Sequence, residues 1–200
     1  MLALGAPAEL VRDVHRALGD EIEHAELCFS IASGLGASVG PGPIPWSADL
    51  GPRTTAAEVA RATVIEGCIG ESIAALVAQL ERDAAAEPVV RRALERIAED
   101  EARHAQLAWR TVAWLLRSHG AAVREAVTRA FIEGTRCQLE VASDDRLPAQ
   151  LGRRFGRLPP RELRSVAARC LRDVIAPAAQ TLLGERDHAW SNSLGRSVAG

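Results

Sequence analysis

Two glutamate–histidine pairs with the same spacing are the side chains of this sequence best suited to chemistry. Glu21 and His24 form one pair, and Glu101 and His104 form the other. Residues three apart lie on one face of a helix, so each pair can direct a carboxylate and an imidazole at the same point. Carboxylates and imidazoles both bind iron and manganese. The two pairs therefore favour a metal site.

The apolar pattern around each pair predicts that the pair faces the interior. Across residues 94–115, apolar side chains recur every three or four positions, and that spacing continues through Glu101 and His104. The first helical segment has the same pattern, and its two vacant positions are Glu21 and His24. Both pairs are therefore expected on buried faces of helices.

A third segment, residues 59–80, has an apolar stripe interrupted once, at Glu66. Glu71 lies five residues later, about 140° further round an α-helix, and is expected off this face. There it would at most support a ligand or pair with an arginine. Three buried carboxylates converging with two histidines would be costly without a compensating charge, and a pair of divalent ions would supply it.

A metal-free helical scaffold or interaction protein is the main alternative. A single Glu-x-x-His sequence is common as a solvated pair on a helix surface. Arg92, Arg96 and Arg103 lie close enough in sequence to pair with the acids. Two pairs in phase with their apolar stripes, together with Glu66, nevertheless favour the metal site. His15 has no such partner and is expected on the surface.

The composition indicates an all-α fold. The 200 residues are 48% hydrophobic and contain no tyrosine, while alanine, leucine, arginine and glutamate dominate. The formal net charge is −2, and every basic residue other than histidine is arginine. Because acids offset the arginines throughout, the chain does not have the charge pattern of a nucleic-acid-binding protein.

Periodicity and capping signals predict a single helical domain over residues 1–183, followed by a loose tail at 184–200. The first two helices are joined by a linker rich in glycine and proline, too rich in them to be helical. The five helical segments are predicted at 7–33, 54–85, 88–120, 121–141 and 159–183.

The cysteines predict a reduced, cytoplasmic protein. No two of them have CxxC spacing, and all four fall in helical segments as small core residues: Cys28, Cys68, Cys137 and Cys170. No signal peptide is recognisable, and no uninterrupted apolar stretch approaches the length of a membrane span.

The segments DEIEHAELCF, EGCIGES and RIAEDEARHAQLAW resemble those of bacterial ferritin-like proteins. In that superfamily a four-helix bundle holds two metal ions with Glu, Glu-x-x-His, Glu and Glu-x-x-His on successive helices. The resemblance implies that Glu21 and His24 match the second helix, Glu66 the third, and Glu101 and His104 the fourth. The EGCIGE segment is closer to the tRNA-modifying hydroxylase branch than to ferritins, and the last two predicted helices are accessory.

The resemblance leaves the first bundle helix, with its own glutamate, unaccounted for before Pro7. The letters MLALGA look like its last turn. We favour a true start upstream of Met1. Two alternatives stay open: Glu133 or Glu125 fills the place of the absent ligand, or the protein is a degenerate relative. Without that helix an apolar groove would be exposed, and a homodimer would cover it.

The resemblance implies an oxidoreductase, such as an oxidase or hydroxylase, with two iron or manganese ions. It would activate dioxygen or peroxide for a small-molecule substrate and draw on an unidentified electron donor. Glu66 and the carboxylate opposite it would be terminal ligands, Glu21 and Glu101 would bridge, and His24 and His104 would each bind one ion.

Other members of the superfamily fit less well. Iron storage is disfavoured by the accessory segments and the long linker, and a rubrerythrin-like peroxidase by the absence of CxxC. The basic GRRFGR sequence at 152–157 only weakly suggests action on tRNA, and a solvated loop is the expected structure there.

Overall fold

A computed structural model of the chain describes residues 1–43, 55–139, 152 and 154–184, without the side chains of 136–139. Over these residues the regular secondary structure is entirely helical, which confirms the all-α prediction. The predicted loose tail, apart from Gly184, lies outside the described residues.

Helix α1 spans Ala8–Gly34 and follows a single 3-10 turn at Leu2–Leu4. Gly5 ends that turn with a φ of 70°, so the turn is separated from α1 by a left-handed residue. Pro7 occupies the N-cap of α1, where its fixed φ and missing N–H are tolerated. The segment MLALGA is thus a separate 3-10 turn.

Helix α2 spans Ala56–Ala84 and changes its winding part-way. It begins as α-helix at Ala56–Ala62, is π-helical at Thr63–Glu71, and is α-helical again at Ser72–Ala84. The predicted capping box is present at its start, because the Glu58 amide donates to Thr55 Oγ1 at 3.2 Å and the Thr55 amide donates to Glu58 at 2.7 Å.

Helix α3 spans Pro88–Ser118 and helix α4 spans Ala121–Leu139. The connections before α3 and before α4 are two or three residues long, which favours antiparallel neighbours. Helix α5 consists of Pro160–Cys170, a π-helical turn at Leu171–Ile175, and Ala176–Leu183.

The apolar core lies among α2, α3, α4 and α5. Its largest fully buried side chains come from these four helices: Phe131, Ile69, Leu115, Leu171, Ile175, Val64, Val112 and Val127. Helix α1 packs on α3 and adds Leu10 to this core. The site between α1 and α3 is therefore at the edge of the apolar core.

Helix α1 exposes more apolar surface than its sequence predicts. Val14, Leu18 and Ile22 are 38%, 61% and 57% exposed. Cys28 is also exposed, so its expected place in the core is wrong, whereas Cys68 and Cys170 are buried as predicted. The reason is that α1 packs mainly against α3, which covers only one side of it.

By length and composition alone, helix α2 could cross a membrane, which the sequence analysis did not anticipate. The core helix of a soluble protein has the same length and composition. A third of the most apolar stretch of α2 is buried inside the protein.

Candidate metal centre

Helices α1 and α3 run antiparallel and bring the two Glu-x-x-His pairs together. Their contacts pair early residues of α1 with late residues of α3: Asp13 bonds Arg110, and further along His24 bonds Asp100. His24, Glu101 and His104 are buried, as the apolar spacing predicts, whereas Glu21 is exposed, so its expected burial is wrong. The relation between the two sequence motifs is therefore created by the packing of these two helices.

The four predicted ligands of α1 and α3 form one cluster. His104 Nδ1 is 3.1 Å from Glu21 Oε1 and 3.5 Å from Glu101 Oε2. His24 Nδ1 is 3.7 Å from Glu21 Oε1 and 3.6 Å from Glu101 Oε1. One ligand atom each from Glu21, Glu101 and His104 lies within 4.8 Å of the other two, a separation compatible with a shared cation. The imidazole rings are 6.1 Å apart between centroids.

Two aspartates hold the histidines from behind. His24 Nε2 lies 2.9 Å from Asp100 Oδ2, and His104 Nε2 lies 3.1 Å from Asp20 Oδ2. A carboxylate accepts only, so each aspartate places the imidazole proton on Nε2 and leaves the Nδ1 lone pair directed at the glutamates. Each helix thus supplies the aspartate that orients the other helix's histidine.

The sequence analysis did not single out these aspartates. Asp20 is 7% exposed and Asp100 is completely buried. A signal was present, since both motifs are the longer sequence Asp-Glu-x-x-His, which begins at Asp20 and at Asp100. The reciprocal pairing depends on how far α1 is shifted along α3, which sequence spacing does not fix.

Arginines neutralise the aspartates from the outer side. Arg96 Nε donates to Asp100 Oδ2 at 2.8 Å, and Arg103 bonds both Asp100 and Asp20. Burial raises the pKa of Asp100, but the hydrogen bonds from Arg96, His24 and Arg103 outweigh it and bring the pKa below its ordinary value. Asp100 is therefore a carboxylate at neutral pH and accepts the histidine proton.

Glu101 has no such compensation. It is 8% exposed, and its Oε2 is buried without a hydrogen-bond partner. Burial, together with the nearby Glu71 and Glu21 carboxyls, raises the pKa of Glu101 to about 8, while His104 opposes the rise. Among the described side chains, no arginine forms an ion pair with Glu21 or Glu101. Glu21 and Glu101 thus lack the arginine partners that Asp20 and Asp100 have.

The two glutamates of helix α2 are placed differently from each other. Glu66 is exposed and lies outside the three-residue cluster, so its assignment as a ligand stays a prediction. Glu71 is partly buried, and its carboxyl is near enough to Glu101 to raise the pKa of Glu101, so the expectation that it lies off this face is wrong. Like Glu66, Glu71 lies outside the three-residue cluster. The predicted 140° offset assumed α-helical winding, and the π-helical stretch Thr63–Glu71 reduces that offset, which accounts for the position of Glu71.

Neither proposed replacement for the absent ligand reaches the cluster. Glu133 is exposed and pairs with Arg61 at 2.9 Å. Glu125 pairs with Arg129 at 3.4 Å on the surface of α4. Both are surface ion pairs, so α4 does not supply the fourth carboxylate through either residue.

No family model, curated protein or solved structure matches the chain. The ferritin-like resemblance therefore rests on the quoted motifs alone.

The donor set suits a hard or borderline divalent ion. It offers two imidazole Nδ1 atoms with free lone pairs and the oxygens of Glu21 and Glu101. The unpartnered Oε2 of Glu101 is the kind of buried polar atom that a bound cation would satisfy. The Glu21 side chain is 52% exposed, so small molecules can approach the cluster from its side.

Proposed function

We propose that this chain binds two iron or manganese ions in a ferritin-like helical bundle and acts as an oxidoreductase on dioxygen or peroxide. Glu21, His24, Glu101 and His104 are the proposed ligands. The single observation that carries the proposal is the orientation of the two histidines. Each has its Nε2 held by an aspartate and its Nδ1 within 3.7 Å of both glutamates.

The protein's own residues prepare this site. Asp100 and Asp20 keep the imidazole protons on Nε2, away from the position of the metal, and hold both rings in place. Glu21 and Glu101 supply the negative charge that neutralises the ions. When bound, iron or manganese would supply the one-electron chemistry with dioxygen or peroxide that amino-acid side chains lack.

The distribution of the arginines argues against the metal-free scaffold. A scaffold held by ion pairs would place its arginines beside all the buried acids. Here Arg96 and Arg103 contact only two of these acids, Asp20 and Asp100. Glu101 is left with two histidines and two acids as its charged neighbours. Such a cluster is unfavourable unless a proton or a cation is added.

The experiment is anaerobic titration of the full chain with Fe(II), followed by measurement of the bound iron. We expect about two ions per chain. His24→Ala and His104→Ala should each lose at least one ion, while His15→Ala, on the exposed side of α1, should bind as the wild type does. Less than one ion per wild-type chain would refute the proposal.

A second measurement separates oxidation from storage. Iron-loaded protein should consume dioxygen, and its size in solution should remain that of a small assembly. A large cage on a sizing column, with many iron atoms per chain, would support iron storage instead.

A further inference from the structure

Helix α1 carries large apolar side chains on the side that faces away from α3. Leu18 is 61% exposed, Ile22 is 57% exposed, and Val14, one turn earlier, is 38% exposed. Leu18 and Ile22 each lie two positions before a residue buried at the α3 contact, Asp20 and His24 respectively. Two positions correspond to about 200° around an α-helix. These apolar side chains therefore point nearly opposite to the α3 contact.

They belong to a stripe that runs along most of α1, the outer stripe. Its six positions are exposed or half-buried: Val11, Val14, Leu18, Ile22, Ala25 and Phe29. Their mean spacing equals the 3.6-residue repeat of the α-helix, so the outer stripe runs parallel to the helix axis. Helix α1 has 27 residues and is about 40 Å long. Single exposed apolar side chains are ordinary, whereas a continuous apolar surface marks an interaction site.

The outer stripe is symmetric about position 20, so it can pack against a copy of itself. In a two-fold dimer, when residue i contacts residue j of the second copy, residue j contacts residue i of the second copy. With two antiparallel α1 helices and the axis at position 20, Leu18 faces Ile22 of the second copy, and Val14 faces Ala25. The outermost positions of the stripe face each other in the same way. Every apolar position then meets another apolar position.

The charged residues beside the outer stripe favour the antiparallel arrangement over a parallel one. Arg12, His15 and Glu26 are exposed and lie on the same flank of the stripe. Neither Arg12 nor Glu26 forms an ion pair within the part of the chain that the structure describes. In the antiparallel arrangement, Arg12 and His15 of each copy lie opposite Glu26 of the other, and the contact occurs twice. A parallel arrangement would instead place Arg12 opposite Arg12 and Glu26 opposite Glu26, which is repulsive.

We propose that a second copy of this chain packs antiparallel on α1, with Leu18 and Ile22 at the centre of the interface. The homodimer expected from the sequence then has a defined surface and a defined register. The inference does not depend on the proposed function, because the apolar and charged contacts that carry it include no proposed metal ligand. Glu21, whose side chain is 52% exposed, borders the other flank of the outer stripe, so the second copy would lie beside the open side of the cluster.

The first test is sedimentation equilibrium of the metal-free full chain at several protein concentrations. We expect a mass that approaches twice the 21.3 kDa of one chain as the concentration rises. Leu18→Glu should raise the dimer dissociation constant at least about tenfold, because it places a charge at the centre of the apolar contact. Its helix content should stay that of the wild type, since the side chain is exposed within one chain. Val174→Glu, at a 53% exposed position on α5, is the matched control and should dimerise as the wild type does.

Charge reversal tests the register. Arg12→Glu and Glu26→Arg should each raise the dissociation constant by about threefold or more, because each places like charges opposite each other twice in the dimer. The double variant exchanges the two signs and should return the dissociation constant to near that of the wild type. In a parallel dimer the double variant would still oppose like charges, so a lack of recovery would contradict the antiparallel register.

Two further results would overturn the inference. One is a wild-type chain that stays monomeric at about 100 μM, a concentration at which a micromolar dimer is almost fully formed. The other is a monomeric wild type that sediments with anionic phospholipid vesicles while Leu18→Glu does not, which would assign the outer stripe to a membrane surface. Because these measurements use no metal, neither result bears on the proposed function, which the Fe(II) titration tests separately.

Discussion

His24 and Asp100 lie on different helices, 76 residues apart, and are joined by a hydrogen bond of 2.9 Å between Nε2 and Oδ2. His104 and Asp20 repeat the relationship in the opposite direction at 3.1 Å. Because each motif supplies the orienting carboxylate for the other, neither helix forms a complete half of the site. The candidate metal centre and the packing of α1 on α3 are therefore expected to respond to the same substitutions.

The first prediction concerns the orienting aspartate. Asp100→Asn should reduce metal affinity by about 10- to 100-fold, because an amide holds the Nε2 proton less firmly than a carboxylate does. Fe(II) titration measures the change. Glu99→Gln, at the exposed neighbouring position, should bind as the wild type does. Unchanged affinity in Asp100→Asn would show that the pairing does not support metal binding.

The second prediction concerns the close contact of α2 and α3. Gly67→Ala should destabilise the protein by about 1–3 kcal/mol, because the new methyl group would overlap Ala108. Adding Ala108→Gly should recover part of the loss by removing the atom that is overlapped. Chemical denaturation measures both changes.

Gly19→Ala is the matched control for that substitution. Gly19 also lies within a helix, but a methyl group there would meet nothing within 4 Å. The change should stabilise the protein by up to about 1 kcal/mol through helix propensity. If Gly67→Ala also stabilised the protein, that result would contradict the close contact between α2 and α3 at Gly67.

The third prediction concerns the turn before α5. Gly156 has a φ of 74°, and a methyl group there would lie 2.0 Å from the Glu81 carbonyl oxygen. Gly156→Ala should therefore destabilise the protein by more than about 3 kcal/mol. Gly5→Ala, with a φ of 70° and open space around it, should cost only about 1–2 kcal/mol. Equal effects in denaturant unfolding would contradict the packing of this turn on α2.

The fourth prediction concerns Glu81, which lies far along α2 from the metal centre. Burial raises its pKa above the ordinary 4.5, although the Leu158 amide, which donates to Oε1 at 3.2 Å, opposes the rise. Because the pKa of Glu81 is higher in the folded state, Glu81 contributes its full stabilisation below pH 4.5. That contribution to the free energy of unfolding is lost as the pH rises through the folded-state pKa.

Glu81→Gln keeps an acceptor for the Leu158 amide and removes this titration. Its free energy of unfolding should therefore fall less with rising pH than that of the wild type. Unfolding curves from pH 4 to pH 9 test the difference, with Glu9→Gln, exposed on α1, as the control for the loss of one negative charge. Parallel curves for Glu81→Gln and the wild type would contradict the raised pKa.

Local periodicity predicted the helices well because helix formation depends mainly on neighbouring residues. The five predicted segments match α1 to α5 closely, and the capping box at Thr55 is present. The same periodicity placed His24, Glu101 and His104 on buried faces, and all three are buried. It failed at Glu21 and Glu66, which are exposed, and at Glu71 and Cys28, because the outcome depended on helix winding and on which side of a helix is covered.

The sequence alone determined the helical class and the pairing of carboxylates with imidazoles on each helix, since both follow from residues a few positions apart. The tertiary structure decided which side chains meet. The offset of α1 along α3 created the reciprocal aspartate–histidine pairs, and the packing of α2 on α3 brought Glu71 near Glu101. These choices depend on contacts between helices far apart in the chain, which no local spacing records.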